Sequence, residues 1–455
     1  MVCYFMIDNI ILNSGKVIDP MCIGRYKIKC LRSLMMPGSP KVRVAVIGGG
    51  AAGIVAAIAA SSNGAEVTVL ERNTRVGKKI LATGNGRCNL TNVNLSAANY
   101  HGKNPAFARG ALAKFNVEKT IDFFERLGVA HKVEEGGKVF PVSNQASSVL
   151  DVLRYRLDQV GVQVLCEAAV SNIRIKNRRF LIAFQNGGVF KADRVILATG
   201  GKAAPNLGSN GSGYALAKSL GHSIVEPFPA LVQLKLAAAF FKQIQGVKFE
   251  GDAEIIVNKK SVGKASGEIL FTEYGASGPP VLALSRRAGE FLQKGETAWL
   301  KLALINTCGR DELERYLIKR FSDGPEKELV FSFVGYINKR LAPVILKEAG
   351  IADIRKPAGQ VSPGERGRIA HLLQDWRFPI KGTTSWPAAQ VTAGGIDVNE
   401  INGETMESKI VPKLYFAGEV IDIDGDCGGY NLQWAWSSGF VAGESAAKVE
   451  DTCFL

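Results

Sequence analysis

The 455-residue sequence predicts an α/β fold: a parallel, dinucleotide-binding sheet interrupted by a strand-rich insert and a smaller helical one. Three observations predict it. A β-branched run, a glycine turn, an alanine-rich stretch and a second strand follow one another in "KVRVAVIGGGAAGIVAAIAASSNGAEVTVLER". Two late strands, "KADRVILATGG" and "PKLYFAGEV", each run into small residues. Between them lie an alternating, strand-like region from Glu226 to about Ile305 and then amphipathic helical stretches over residues 310–375.

The amino-terminal stretch stands apart. Its short apolar run is followed by basic residues, unlike a secretory signal, and Met35 and Met36 stand just before "PGSPKVRVAVIGGG". Residues 1–40 therefore read as an extension outside the fold. Removing the five Lys/Arg and two Asp of residues 1–35 lowers the net charge from +14 to +11. At 46% hydrophobic and 22% charged, the chain has ample material for a core. No apolar run reaches the ~18 residues that cross a bilayer. Eight cysteines without a CxxC pair point to reduced thiols in a cytoplasm, and four dispersed histidines argue against a metal centre. The positive charge is spread out; residues 171–202 hold seven Lys/Arg against Asp193 alone. It reads either as a solvated basic surface or as a fit for a polyanion, most simply RNA.

The first functional element is local. Val42–Ile47 reads as a buried parallel strand, followed by Gly48, Gly50 and Gly53 in a GxGxxG pattern. The first glycine gives the tight turn, the second lets a pyrophosphate approach the backbone, and the third lets helix and strand pack closely. Ala51 and Ala52 open a helix over 51–62 whose N–H groups and dipole receive phosphates; Asn63-Gly64 ends it. After the strand Glu66–Leu70, Glu71 stands in place to accept from the adenosine ribose hydroxyls. A carboxylate there disfavours a 2′-phosphate, so the nucleotide is FAD or NAD rather than NADP. The late strand ends, at Thr199-Gly200 and Gly418-Glu419, favour FAD. No second complete fingerprint occurs, so any nicotinamide binds transiently.

Four segments support a family resemblance: "GKKILATGNGRCNLTN", "ATGGKAAPNLGSNGSGYALAKSLGH", "EILFTEYGASGPPVLALS" and "TMESKIVPKLYFAGEVIDIDGDCGGYNLQWAWSSGFVAG". Together they resemble the BaiN/RdsA-like flavoproteins, also described as aminoacetone-oxidase-like FAD-binding enzymes, from about Val42 to the C-terminus. The resemblance implies a Rossmann-like discontinuous FAD-binding domain (41–227 and 391–455). A β-barrel-like insert (228–308, with return strands 376–390) interrupts it and is itself interrupted by a small helical domain (309–375). It also implies that the loop Gly84–Asn92 lies against the flavin. Arg72, Lys79, Asn85, Gly86, Arg87 and Asn89 then contact the cofactor from that side. Gly429, Asn431 and Leu432 contact it from the start of a late helix, whose positive end faces the pyrimidine edge.

Arg87, Cys88 and Tyr430 are the catalytic candidates. Arg87 would stabilise the reduced, anionic flavin or hold the pyrophosphate. Cys88 is either a thiol whose pKa Arg87 lowers or a small residue filling a tight turn. Tyr430 lies beside the glycines of the helix start. Trp434 and Trp436, two apart, are expected to be one packed and one at the surface. Asp422 and Asp424 are expected to be solvated loop charges rather than general acids. Two departures stand out: Glu273 occupies a position where the resemblance implies histidine, and Ala203-Ala204 where it implies Ser-Tyr. Any proton-donor role of that histidine would fall to Glu273, or else the substrate differs.

The implied activity is that of an FAD-dependent oxidoreductase, recharged by NAD(P)H and reducing an organic acceptor. The resemblance implies a uridine of ribosomal RNA as that acceptor or, as the alternative, an oxygen-dependent oxidase or reductase of a small metabolite, an aminoacetone-like amine or a steroid-like acid. An RNA-binding protein with a structural FAD is the alternative from another class. For RNA, the helical insert offers Lys319, Arg320, Lys339, Arg340, Arg355 and Lys356. Neither a membrane nor a metal is expected, and the oligomeric state is open.

Overall fold

The computed structural model describes residues 41–449. The reading of residues 1–40 as an extension lies outside the described residues. Five short strands form a fully parallel sheet in the order Leu414–Phe416, Arg194–Leu197, Arg43–Ile47, Glu66–Leu70, Gln163–Leu165. The β-branched and leucine side chains of the first four are buried on both faces, as a covered parallel sheet requires, while Val164 and Leu165 of the edge strand are half-buried. One edge strand comes from the far end of the chain, so the sheet closes only after the inserts have been traversed. Helix Ala51–Ser62 packs between this sheet and the carboxy-terminal helix Tyr430–Ala447. The two helices meet at backbone distance: a methyl on Gly439 or Gly443 would overlap the carbonyl oxygen of Ala52 or Ala56.

Trp434 and Trp436 lie in that carboxy-terminal helix, and the structure corrects the expectation that one is exposed: both are buried. The helix is internal, so neighbours cover both faces. The Trp434 indole donates to Gly418 O at 3.2 Å and the Trp436 indole to Leu90 O at 3.0 Å.

A three-stranded antiparallel sheet, Val170–Lys176, Arg179–Phe184 and Val189–Ala192, precedes strand Arg194–Leu197. It buries Ile173, Phe180 and Ile182 on one face and turns the other to solvent. The insert is a closed six-stranded barrel: Leu234–Leu236, Gly275–Ser277, Lys260–Thr272, Lys248–Val257, Ala298–Ala303 and Trp376–Thr383. Strict alternation builds it; Ala298, Leu300 and Leu302 point inward, while Trp299 and Lys301 do not. Helices Arg310–Ser322, Ala342–Glu348 and Pro363–Gln374 interrupt the barrel and share its core, Leu313, Leu317, Ile345 and Ile369 joining one cluster with Phe271 and Trp376.

The region read as strand-like up to Ile305 also contains a 15-residue helix, Pro279–Gln293. Pro279-Pro280 begins it, and the buried Val281, Leu284, Ser285, Ala288 and Gly289 follow a helical rather than a two-residue period. This helix connects the insert to the dinucleotide domain.

Candidate functional site

The glycine turn divides its labour by sterics. A methyl on Gly53 would overlap Gly48 O, and Gly48 itself has φ +106 against the backbone of Ala198. Gly50 faces open space at the start of helix Ala51–Ser62. This leaves room in front of Gly50 for a phosphate to reach the first-turn N–H groups. Glu71 is buried beside this turn. Its Oε2 accepts from Gly49 N at 2.8 Å, and its Oε1 accepts from Asn73 N and Nδ2, each at 2.7 Å. The carboxylate is thus fixed before any ligand arrives, with lone-pair capacity left on Oε2. Arg72 is exposed. Lys79 pairs with Glu419 at 2.7 Å, whose other oxygen accepts from Thr392 N at 2.7 Å. Thr199 and Gly200 lie where helix Ser212–Ser219 begins, a methyl on Gly213 overlapping Thr199 Oγ1.

The loop "GNGRCNLTN" is a chain of left-handed turns. Gly84, Asn85, Gly86 and Cys88 have φ of +56°, +56°, +83° and +62°, which explains its Gly-Asn-Gly composition. Asn85 and Gly86 are exposed, and the chain then dives: Cys88 through Asn92 are buried. Arg87 braces the loop. Its Nη1 donates to both oxygens of Glu134, at 3.0 and 3.1 Å, and its guanidinium lies 3.9 Å from the centre of the Phe140 ring. Cys88 sits in the core, and burial pushes its thiol up to about 12. The reading in which Arg87 lowers that pKa is reversed by this burial.

The late elements close against this loop. Gly428 and Gly429 have positive φ, and a methyl on Gly429 would lie 2.9 Å from Asn89 Oδ1. That oxygen is buried and has no hydrogen-bond partner among the described residues. Helix Tyr430–Ala447 carries no side-chain cap, so first-turn N–H groups remain available. Tyr430 is buried, its carbonyl accepting from the Tyr100 hydroxyl at 3.0 Å. Asn431 clamps the preceding loop, bonding Gly425 N, Gly425 O and Asp426 O at 2.7–3.1 Å. Leu432 is half-buried. Gly418 N donates to Ser438 Oγ at 2.9 Å. Glu273 lies exposed in the turn after strand Lys260–Thr272.

The structure overturns the reading of Asp422 and Asp424 as solvated charges; both are 1% exposed. Asp424-Gly425 pairs antiparallel with Tyr100-His101. Asp422 Oδ2 accepts from Lys103 N at 2.8 Å, and Asp426 meets His101 Nε2 at 2.7 Å. Arg286, from helix Pro279–Gln293, reaches Asp424 Oδ2 at 2.7 Å, while Asp424 Oδ1 stays buried with no partner among the described residues. Burial pushes Asp422 up to about 6, with the nearby Asp424 charge adding to the rise. Asp424 is also raised by burial, against the pull of Arg286. Only Asp424-Gly425 of the "IDIDGD" segment is a strand, and Ile421 and Ile423 are buried along with Asp422 and Asp424. Burial of the two acids was not legible, because Arg286 and Lys103 arrive from distant segments.

Three of the six insert cations are already committed. Arg320 donates to Ser332 O and Val334 O, Arg340 to Gln243 O and Gln245 O, and Lys356 pairs with Glu365.

A family model described as the HI0933-like protein Rossmann domain matches residues 42–445. The chain belongs to this family. Among its relatives, a 3-dehydro-bile acid delta(4,6)-reductase of Clostridium scindens is 39% identical over 410 residues, 89% of this chain and 99% of that one. The ribosomal RNA dihydrouridine synthases of Escherichia coli and Haemophilus influenzae are 31% and 30% identical over 405 and 409 residues, 89% of this chain and 98% of each. This HI0933-like chain is a flavoprotein oxidoreductase. FAD fits the groups present: open space before Gly50, a preset Glu71, the orphaned Asn89 Oδ1 and the uncapped helix at Tyr430.

Proposed function

We propose that this protein is an FAD-dependent reductase of a carbon–carbon double bond conjugated to a carbonyl group, recharged by NAD(P)H bound transiently. The observation that carries this reading is a buried carboxyl group, Asp422, pushed up to about 6 by burial and held by Lys103 N in the same domain as the dinucleotide cradle. The relatives' names share one chemistry, since a delta(4,6)-reductase and a dihydrouridine synthase both saturate a ring double bond.

When bound, FAD supplies the hydride. The chain supplies the rest. Glu71 and the N–H groups behind Gly50 anchor the nucleotide end, and the helix start at Tyr430 presents N–H donors to the other. Arg87, tied to Glu134, holds the loop in shape, and Cys88 packs it. Asp422, its Oδ2 fixed by Lys103 N–H, carries the proton on Oδ1 and releases it as the acceptor takes the hydride. One hydride and one proton convert the C=C bond to CH–CH.

The basic surface favours a uridine of ribosomal RNA as the acceptor in a cytoplasm, because phosphate contacts release counterions. The 39% identity to the bile acid reductase favours a second reading, a steroid-like acid. The test is to reduce the holoenzyme anaerobically with NADH or NADPH, then offer ribosomal RNA from cells lacking the protein and, separately, a 3-keto-Δ4,6 steroid acid. New dihydrouridine at one position supports the first reading, and saturated steroid the second. Reoxidation by oxygen alone, with both acceptors intact, overturns the proposal.

A further inference from the structure

The outer face of the three-stranded sheet 170–192 concentrates charge that the linear sequence only hints at. Of the seven Lys/Arg between residues 171 and 202, Arg194 is buried against Ser445 O and Ala446 O, and Lys202 lies over the Trp386 ring. The other five, Arg174, Lys176, Arg178, Arg179 and Lys191, are all exposed on this one sheet or its first turn. The pairing register shows how they are arrayed. Arg174 and Lys191 flank Leu181 in one cross-strand row, and Lys176 stands directly opposite Arg179 in the next. Directly opposed like charges weaken a sheet, so folding does not call for this arrangement. The three strands carry no acidic residue. The adjoining Asp193 is shared between Arg43 at 3.0 Å and Arg179 at 3.4 Å, and the other four cations have no acidic partner among the described residues.

We infer that this face is the docking surface for the phosphate backbone of structured RNA. A flat sheet presents its side chains in regular rows, and a polyanion neutralises several cations at once. The face carries no aromatic side chain and no amphipathic helix of the kind that seats a protein on a lipid surface. The inference rests on the RNA arm of the proposed function and moves the contact away from the helical insert, half of whose cations are already spent.

The test compares two variants of the full-length holoprotein. One is Arg174→Gln/Lys176→Gln/Arg178→Gly/Lys191→Gln. Arg178 has φ +59 in the hairpin turn, so glycine there relieves the backbone while removing the charge. The control is Lys319→Gln/Lys339→Gln/Arg355→Gln. Binding to transcribed large-subunit ribosomal RNA is measured across a salt series, alongside binding to phosphatidylserine vesicles. The sheet variant is expected to bind about tenfold or more weakly at low salt, with a log–log salt slope shallower by about 3. The control is expected to shift about twofold or less, and flavin reduction by NAD(P)H to stay unchanged in both. Equal binding by the sheet variant and wild type, or an equal loss in the control, overturns the inference. So does protein that binds the vesicles but not the RNA. If RNA held by this face gains no dihydrouridine, the RNA arm of the functional reading fails while the surface stands. If the sheet variant makes dihydrouridine at the wild-type rate, the surface fails while the reaction stands.

Discussion

The glycine turn at residues 48–53 and the acid row at residues 422–426 belong to the same domain, yet they are built in opposite ways. In the turn, most of the constraint comes from backbone a few positions away: Gly53 must lack a side chain because Gly48 O fills its place, and Gly50 faces space, while Gly48 alone is held from afar, by the Ala198 backbone. In the row, no role is local. Asp424 is defined by Arg286, 138 residues earlier, and Asp422 by Lys103, 319 residues earlier. A cofactor cradle made of backbone can be written in a short motif. A proton store made of burial needs walls supplied by the whole fold.

The sharpest way to break this contrast is within the turn itself. Gly53→Ala forces a methyl into Gly48 O, so it should cost about 3 kcal/mol or more and release the flavin. Gly50→Ala fills open space instead; the apo protein should melt within a few degrees of wild type while the flavin-to-protein ratio collapses. Melting curves with flavin quantitation check both. Full flavin retention in Gly50→Ala would remove the phosphate from the place assigned to it.

The acid row predicts an effect of similar size but opposite sign. The folded-state pKa of Asp422 is raised from 3.8 to about 6, so its contribution to stability is complete below about pH 4 and disappears as pH rises through 6. Asp422→Asn should therefore stabilise the protein at pH 8, by up to about 3 kcal/mol, and change little at pH 4. Urea unfolding at the two pH values measures it. Equal shifts at both would mean that Asp422 does not titrate in this range.

Cys88→Ala should have the smallest effect. With the thiol pushed up to about 12, no thiolate forms at working pH, and the reoxidation rate should change less than about twofold. The cost is about 1 kcal/mol of packing. A rate loss of an order of magnitude would return Cys88 to the chemistry.

What was legible in the sequence follows the same division. The strand Glu66–Leu70, the helix 51–62 with its Asn63-Gly64 stop, and the discontinuous sheet could be read from periodicity and turn residues. The barrel's strands were legible from alternation, but Pro279–Gln293 was absorbed into them because its apolar spacing was masked by flanking strands. The burial of both Trp434 and Trp436 was missed because two-residue spacing says nothing about a helix covered all round. The loop at Gly84–Asn92 was recognisable as a special turn. That Arg87 would spend its charge on Glu134 was not, since the partner lies 47 residues away.

The most direct test of the central claim follows acceptor reduction by the anaerobically reduced enzyme as a function of pH, for wild type and Asp422→Asn, with flavin reduction by NAD(P)H as the internal reference. A wild-type rate that declines as pH rises through about 6, a lower and pH-independent rate in the variant, and unchanged flavin reduction in both are the predicted results. Superimposable pH profiles for the two proteins would show that the proton comes from elsewhere and would contradict the role assigned to the buried row.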